Sequence, residues 1–190
     1  MANAEQYTIK ELTSSTWSDF ETLFGKHGAA DGCWCMFFRQ TSQDYKDLRG
    51  EANKRLMHEL VDHSNQIGLM AYDGDKAVGW CAVAPRSHYI RIEKILDGRL
   101  EEGSPIWSIV CFYTAKGFRH KGITRFLIQK AVEMAKARGA KTVEAYPSIP
   151  KEDKIPDSDG YTGFYDVFIK LGFHEVMRVK PEDPVLRIDL

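Results

Sequence analysis

Several features that would indicate a broad class of function are missing from this sequence of 190 residues. No segment approaches the roughly 20 consecutive apolar residues that a transmembrane helix requires. The N-terminal segment MANAEQYTIK has neither the basic part nor the apolar part of a secretory signal peptide. Lys and Arg number 26 and Asp and Glu number 27, so the chain has no bulk positive charge for binding nucleic acid. We therefore expect a cytoplasmic protein that binds neither a membrane nor a nucleic acid.

Cysteine is scarce, and the cysteines show no ligand pattern. They are Cys33, Cys35, Cys81 and Cys111, and three of them sit among apolar residues. Structural zinc sites usually combine two closely spaced ligand pairs, and no second pair accompanies Cys33 and Cys35. We expect reduced thiols that pack in the core or line a pocket, and no bound metal.

The composition, with 43% hydrophobic and 28% charged residues, is that of a folded globular protein. No repeat and no change in composition marks a boundary, so residues 1–190 are expected to form a single domain. Apolar patterns of strand and helix type follow one another along the chain, from a first strand at 7–12 to a closing strand at 185–190. This order predicts an α/β fold in which a mixed sheet carries helices on its faces.

One segment combines a buried strand, a basic turn and an amphipathic helix. Residues 106–114 are almost all apolar, and an apolar stripe of helical spacing begins at Ile123. The turn between them is basic and contains two glycines, and the free amides of a helix N-terminus favour an anion such as phosphate. The alternative is a solvated turn that only joins the strand to the helix. The glycine spacing approaches that of a Walker A loop, but the Lys that should follow Gly122 is absent.

This segment resembles the phosphate motif of the GNAT superfamily of acetyl-CoA-dependent N-acetyltransferases. That motif reads Arg/Gln-x-x-Gly-x-Gly/Ala. Arg119, Gly122 and Thr124 occupy its positions, and Thr124 departs from the small third residue. The resemblance covers nearly the whole chain. The stretches 32–39 and 144–147 are similar, more narrowly, to a bacterial subgroup of this superfamily.

The resemblance implies the GNAT fold, a mixed seven-stranded sheet with splayed central strands and helices on both faces. It implies acetyl-CoA as co-substrate, with the pantetheine arm along the fourth strand and the pyrophosphate on the basic turn. By position, the cofactor-binding residues are Phe112, Tyr113, Thr114, Arg119, His120, Lys121, Gly122, Ile123 and Thr124. The implied activity is direct transfer of the acetyl group to a primary amine of a small molecule or peptide, through a ternary complex. The rival interpretation is an acyl-CoA-binding sensor with weak or no catalysis.

Three residues are candidates for the proton transfers. Many family members carry a Tyr on the last helix that protonates the thiolate, and that position is Phe168 here. Tyr165, one turn earlier, Tyr161, on the loop that enters the helix, or water would take this role. The alternative is that Tyr165 only packs, with its hydroxyl in solvent. Glu144 is the candidate base, because a Glu inside an apolar strand is costly to bury unless it is paired or functional. A structural ion pair is the other interpretation of Glu144.

The acceptor site should be formed by the loop after the first helix and by the neighbouring strands. Its predicted residues are Trp34, Arg39, Trp80 and Tyr146. Arg39 follows a run of apolar and thiol side chains, so we expect it to pair with a carboxylate of the acceptor or of the protein itself. The sequence leaves open the identity of the acceptor, the length of the acyl group and the formation of a homodimer.

Overall fold

The fold is that of a computed structural model, which describes residues 7–64, 67–99, 105–147, 149 and 160–190. In these ranges the strands are β1 (Tyr7–Glu11), β2 (Gly68–Asp73), β3 (Lys76–Pro85), β4 (Ile106–Thr114), β5 (Thr142–Ala145), β6 (His174–Lys180) and β7 (Asp183–Asp189). The α-helices are α1 (Trp17–Phe24), α2 (Ser42–Asp47), α3 (Glu51–His63), α4 (Ile90–Leu96), α5 (Ile123–Ala137) and α6 (Tyr165–Ile169). None of these helices has the length and apolar character needed to span a bilayer.

The strands form one mixed sheet in the order β1-β2-β3-β4-β5-β7-β6. Neighbouring strands are antiparallel except β4 and β5, which run parallel because α5 connects them as a crossover. The predicted fold class, a mixed seven-stranded sheet with helices, is confirmed.

Helices cover both faces of the sheet and bury two apolar clusters. α5 places Ile123, Leu127 and Ala131 against one face, as the helical spacing of its apolar residues predicts. On the other face, α1 contributes Phe20 and α3 contributes Met57. The burial of apolar surface on both sides holds β3 and β4 between two helical layers.

The two central strands separate after a short paired region. β5 pairs with β4 only as far as Ile109 and Ala145, whereas β4 continues to Thr114. Among the described residues, the second half of β4 therefore has no hydrogen-bonded strand on its β5 side. The predicted splay of the central strands is confirmed, and it leaves backbone N–H and C=O groups of β4 facing a gap.

The register between β3 and β4 shifts beside this gap. Ala82 pairs with Cys111 and Val83 pairs with Ile109, so Val110 is an extra residue of β4. As a result, the consecutive residues Val110 and Cys111 both pack on the α1 side of the sheet. The bulge thus brings the Cys111 thiol to the side of the loop that follows α1.

Candidate functional site

The turn between β4 and α5 has the backbone shape of an anion-binding helix start. Gly122 caps α5 with a left-handed φ of +81°, and His120 has a φ of +60°. The first backbone hydrogen bond of α5 runs from the Phe126 amide to the Gly122 carbonyl at 3.1 Å. The amides of Ile123 and Thr124 therefore have no acceptor within the helix. A Cβ atom built on Gly122 would meet no heavy atom within 4 Å, so the mouth of the turn is open.

Cationic side chains gather at this turn. Lys121 is exposed, and its Nζ lies 4.9 Å from the ring centroid of Phe118. Lys76 approaches the same ring, with its Nζ 5.6 Å from the centroid. The Arg119 Nε donates to the Thr114 carbonyl at 3.4 Å, which ties the guanidinium to the end of β4. The positive charge of these three side chains adds to the field of the helix N-terminus.

The β4 residues predicted to bind the cofactor alternate between the two faces of the sheet. Phe112 packs against Phe168 on the α5 side, with ring centroids 6.2 Å apart. Tyr113 packs against Phe24 on the α1 side, with ring centroids 5.5 Å apart. The backbones of Phe112, Tyr113 and Thr114 pair with β3, and the described part of β5 stops before it reaches them. Their open backbone edge leads directly into the basic turn.

Glu144 lies on β5, at the closed end of the gap, and is fully buried. The Arg187 Nε on β7 donates to Glu144 Oε1 at 2.8 Å, and the Arg86 Nη1 approaches the same oxygen at 3.4 Å. Tyr146 donates its hydroxyl to Glu144 Oε2 at 2.7 Å, as the shared strand face of the two residues predicts. Two guanidinium groups and a phenol thus surround this carboxylate. This arrangement favours a structural ion pair over the role of a catalytic base for Glu144.

Tyr146 connects this ion pair to β4. Its hydroxyl lies 3.0 Å from Ser108 Oγ, and Ser108 faces Glu144 across the parallel pair of strands. Burial and the Glu144 carboxylate raise the pKa of Tyr146 well above its usual range. Tyr146 is therefore protonated at neutral pH, and its hydroxyl is fixed where the pairing of β4 and β5 ends.

A comparison of the sequence with known protein families identifies the family of this chain. Residues 31–152, more than half of the chain, match the sequence pattern of the Acetyltransferase (GNAT) family. The chain belongs to the GNAT acetyltransferase family. No curated protein matches it.

Solved acetyltransferases share the GNAT fold with this chain at low sequence identity. The PaiA N-acetyltransferase of Thermoplasma acidophilum, in complex with coenzyme A, is 15% identical, with a TM-score of 0.56 over 97% of this chain and 99% of that chain. A GCN5-related N-acetyltransferase from Kribbella flavida is 15% identical, with a TM-score of 0.56 over 99% and 100% of the two chains. Diaminobutyrate acetyltransferase EctA from Paenibacillus lautus, in complex with L-2,4-diaminobutyric acid and coenzyme A, is 11% identical, with a TM-score of 0.55 over 100% and 96%.

The last helix of this GNAT chain does not present a free tyrosine hydroxyl in the described structure. Phe168 is fully buried against Phe112. The Tyr165 hydroxyl lies at the surface and donates to the Glu175 carboxylate on β6 at 3.1 Å. This hydrogen bond is the main reason why the pKa of Tyr165 is raised. The contacts favour the packing interpretation of Tyr165, and its role as the acid stays a prediction.

The predicted acceptor loop of the GNAT fold lies on the α1 side of the sheet. Trp34 and Trp80 are both buried, and Trp80 on β3 pairs with Tyr113 of β4. The Trp80 Nε1 donates to the Cys35 Sγ at 3.2 Å. Trp34 and Cys35 have φ values of +46° and +59°, which residues with side chains rarely adopt, and this turn buries both side chains. Since both indoles are enclosed in the core, their contact with an acceptor stays a prediction.

Two thiols meet between this loop and β4. The interaction between the Cys35 and Cys111 side chains lowers the pKa of Cys35 and raises the pKa of Cys111. The indole of Trp80 also lowers the pKa of Cys35. The apolar neighbours of these cysteines predicted burial, but no signal in the sequence pairs them, because the contact exists only once the loop packs on the sheet.

Three polar residues of the site were not found by sequence reasoning. Ser108 had a visible signal, since it is a polar residue inside an otherwise apolar strand. Arg187 had none, because it faces Glu144 only when β7 pairs with β5. Tyr89 lies under Arg39, whose guanidinium carbon is 4.6 Å from the centroid of the Tyr89 ring. All three contribute hydroxyl or guanidinium groups to the α1 side of the cleft.

Proposed function

We propose that this protein transfers the acetyl group of acetyl-CoA directly to a primary amine of a small molecule, within a ternary complex. The observation that carries the proposal is the continuity between the unpaired edge of β4 and the amide-rich turn at the start of α5. An extended pantetheine arm pairs with a free strand edge, and a pyrophosphate binds at a helix N-terminus. The two features are thus suited to two adjoining parts of one ligand.

The residues of the turn fit acetyl-CoA as a co-substrate. The amides of Ile123 and Thr124 and the cations of Arg119 and Lys121 would hold the pyrophosphate. The open side of Gly122 allows the phosphate oxygens to approach the backbone. Coenzyme A is present in the PaiA and EctA structures that share this fold, which supports the assignment.

The edge of β4 supplies the electrostatic part of the proposed mechanism. The Phe112 amide donates to the thioester carbonyl oxygen as negative charge develops there. The amine nitrogen forms the new C–N bond, the C–S bond breaks, and a proton released by the amine is delivered to the CoA thiolate. The packing of Phe112 on buried Phe168 keeps the donor in place. A covalent enzyme intermediate is not required.

The proposed route of the proton from the amine to the thiolate does not use the two residues predicted as base and acid. Glu144 and Tyr165 were predicted as base and acid, and both are hydrogen-bonded to other protein groups. We assign Glu144 the role of a positioning residue that fixes the Tyr146 hydroxyl beside Ser108. Water in the gap between β4 and β5 then carries the proton from the amine.

A direct assay tests the proposed function. The protein is incubated with acetyl-CoA and a panel of primary amines, and the products are identified by mass spectrometry together with the CoA released. We expect an acetylated amine and one CoA for each acetyl group transferred. Stabilisation of the protein by acetyl-CoA with no acetylated product from any amine would instead support the acyl-CoA-binding sensor. EctA was solved with L-2,4-diaminobutyric acid, so small diamines and amino acids belong in the panel.

A further inference from the structure

Arg39 is a cation that the described residues leave without a counter-charge. Its Nη2 lies 3.4 Å from the Tyr89 hydroxyl and 3.5 Å from the Ile67 carbonyl, both near the upper limit for a hydrogen bond. Its Nε is buried and has no hydrogen-bond partner in the described structure. The ion pairs found between described residues do not include Arg39. Most of the five donors of this guanidinium therefore have no partner among the described residues of the protein.

The groups around Arg39 respond to its positive charge. The pKa of His88 is lowered by burial and then by Arg39. Arg39 also contributes, after the neighbouring side chains of Cys111 and Trp80, to the lowered pKa of Cys35. Because the surroundings are partly desolvated, a charge that is not neutralised here attracts an anion more strongly than it would in water.

Arg39 is close to the centre of the proposed reaction. Its Nη2 lies 3.5 Å from the Ile67 carbonyl, and the next residue, Gly68, pairs with Ala82 of β3. Ala82 in turn pairs with Cys111 of β4. Cys111 immediately precedes Phe112 on the unpaired half of β4. A ligand bound at Arg39 therefore lies on the α1 side of the sheet, beside the strand edge at which the thioester is proposed to bind.

We infer that Arg39 binds a carboxylate group of the acceptor, which makes the acceptor an amino acid or another small amine that carries a carboxylate. This inference rests on the proposed function. A carboxylate matches one guanidinium both in charge and in its two parallel hydrogen bonds. A phosphomonoester carries about −1.5 to −2 charges at pH 7 and would leave negative charge uncompensated at this half-buried position.

The test uses pairs of amines that differ only in the carboxylate, namely α-, β- and γ-amino acids and their amides. The kcat/KM for acetylation is measured for the wild type, Arg39→Gln, Arg39→Lys and Arg55→Gln. Arg55 is exposed on α3 and controls for the loss of one positive charge. We expect the wild type and Arg55→Gln to prefer one or more amino acids over the matching amide by about 10- to 100-fold. Arg39→Gln should lose this preference, and Arg39→Lys should keep part of it.

The possible results separate the inference from the proposed function. Equal kcat/KM values within every pair, or a preference that survives in Arg39→Gln, overturn the carboxylate site while acetyl transfer stands. If no amine is acetylated, the proposed function fails. Binding of the same amino acids to the CoA-bound protein, measured by calorimetry, then tests the carboxylate site at Arg39. Binding that is lost in Arg39→Gln supports the site, and no binding overturns it. If Arg39→Gln does not fold, Arg39→Lys replaces it in both measurements: a preference or affinity below that of the wild type supports the site, and one equal to the wild type overturns it.

A second variant tests whether Arg39 interacts with Cys35 of the protein rather than with the acceptor. Cys35 is an acidic group beside Arg39, and the charge of Arg39 helps to lower its pKa. Cys35→Ser removes this thiol and keeps a side chain of similar size. Retention of the preference for the carboxylate in Cys35→Ser supports the inference. Loss of that preference with intact acetyl transfer would show that Arg39 serves Cys35 and would overturn it.

Discussion

Arg187 and Glu144 form an ion pair across neighbouring strands, with Arg187 Nη2 2.7 Å from Glu144 Oε1 and the carboxylate sealed from solvent. Arg86 brings a second guanidinium to the same oxygen. These contacts hold the closed end of the cleft, directly below the point where β4 and β5 separate. Because buried ion pairs are costly to break on one side only, this arrangement makes clear predictions for stability.

Glu144→Gln should lower the free energy of unfolding by about 3 kcal/mol, since it leaves the Arg187 guanidinium without a counter-charge and removes one of the two carboxylates that pair with buried Arg86. Urea denaturation measures the change. Glu133→Gln is the matched control, because Glu133 is exposed on α5 and forms an exposed ion pair with Lys130, and its effect should stay within about 0.5 kcal/mol. A small loss of stability with a kcat reduced more than about 100-fold and unchanged acetyl-CoA binding would identify Glu144 as the base instead.

Gly122→Glu should abolish the stabilisation of the protein by acetyl-CoA. A ligand present at 100 times its Kd stabilises a protein by about 2.7 kcal/mol, which is visible as a rise in Tm. The substitution places a carboxylate at the proposed pyrophosphate site and a side chain at a φ of +81°. Gly139→Glu is the control, because Gly139 has a φ of +83° and open space at the other end of α5. Gly139→Glu should keep the full rise in Tm. An equal rise in both variants would show that the turn at Gly122 does not bind the pyrophosphate.

Tyr165→Phe should retain kcat within about twofold. The hydroxyl that it removes donates to Glu175 at the protein surface, so the variant loses one exposed hydrogen bond. Steady-state kinetics with a saturating amine measures the effect, and Tyr161→Phe, at an exposed position ahead of α6, provides the comparison. A fall in kcat of about 100-fold in Tyr165→Phe alone would assign this tyrosine as the acid that protonates the thiolate.

Arg39→Gln should raise the pKa of His88 toward its ordinary value of 6.5, because the charge of Arg39 is one of the two causes that lower it. A carboxylate ligand bound at Arg39 should raise the same pKa by neutralising that charge. The lowered pKa means that the contribution of His88 to stability is present above pH 6.5 and is lost as the pH falls. NMR titration of the His88 imidazole measures the pKa. Identical His88 titrations in the wild type and Arg39→Gln would contradict this account of the pocket.

Local signals predicted the elements that build the cofactor side of the cleft. Strand 106–114 was recognisable because it is apolar along its whole length, and it is observed as Ile106–Thr114. The start of α5 at Ile123 followed from the apolar stripe and from the glycine before it. These signals are local because backbone conformation and helix amphipathicity depend on neighbouring residues. The family assignment rested on the same segment and was confirmed by the match over residues 31–152.

The acceptor side could be predicted only in outline. The sequence placed Arg39 in a loop of apolar residues, but whether a carboxylate of the protein neutralises it depends on which strands and helices pack around that loop. The structure finds Tyr89 and Ile67 beside Arg39 and no carboxylate among the described residues within ion-pair distance. The sequence by itself was enough to recognise the GNAT fold and to predict phosphate binding at the turn before α5, because both depend on local pattern. The tertiary structure alone decided that Arg187 neutralises Glu144 and that no carboxylate of the described residues pairs with Arg39, because strand register and loop packing join residues that are distant in the chain.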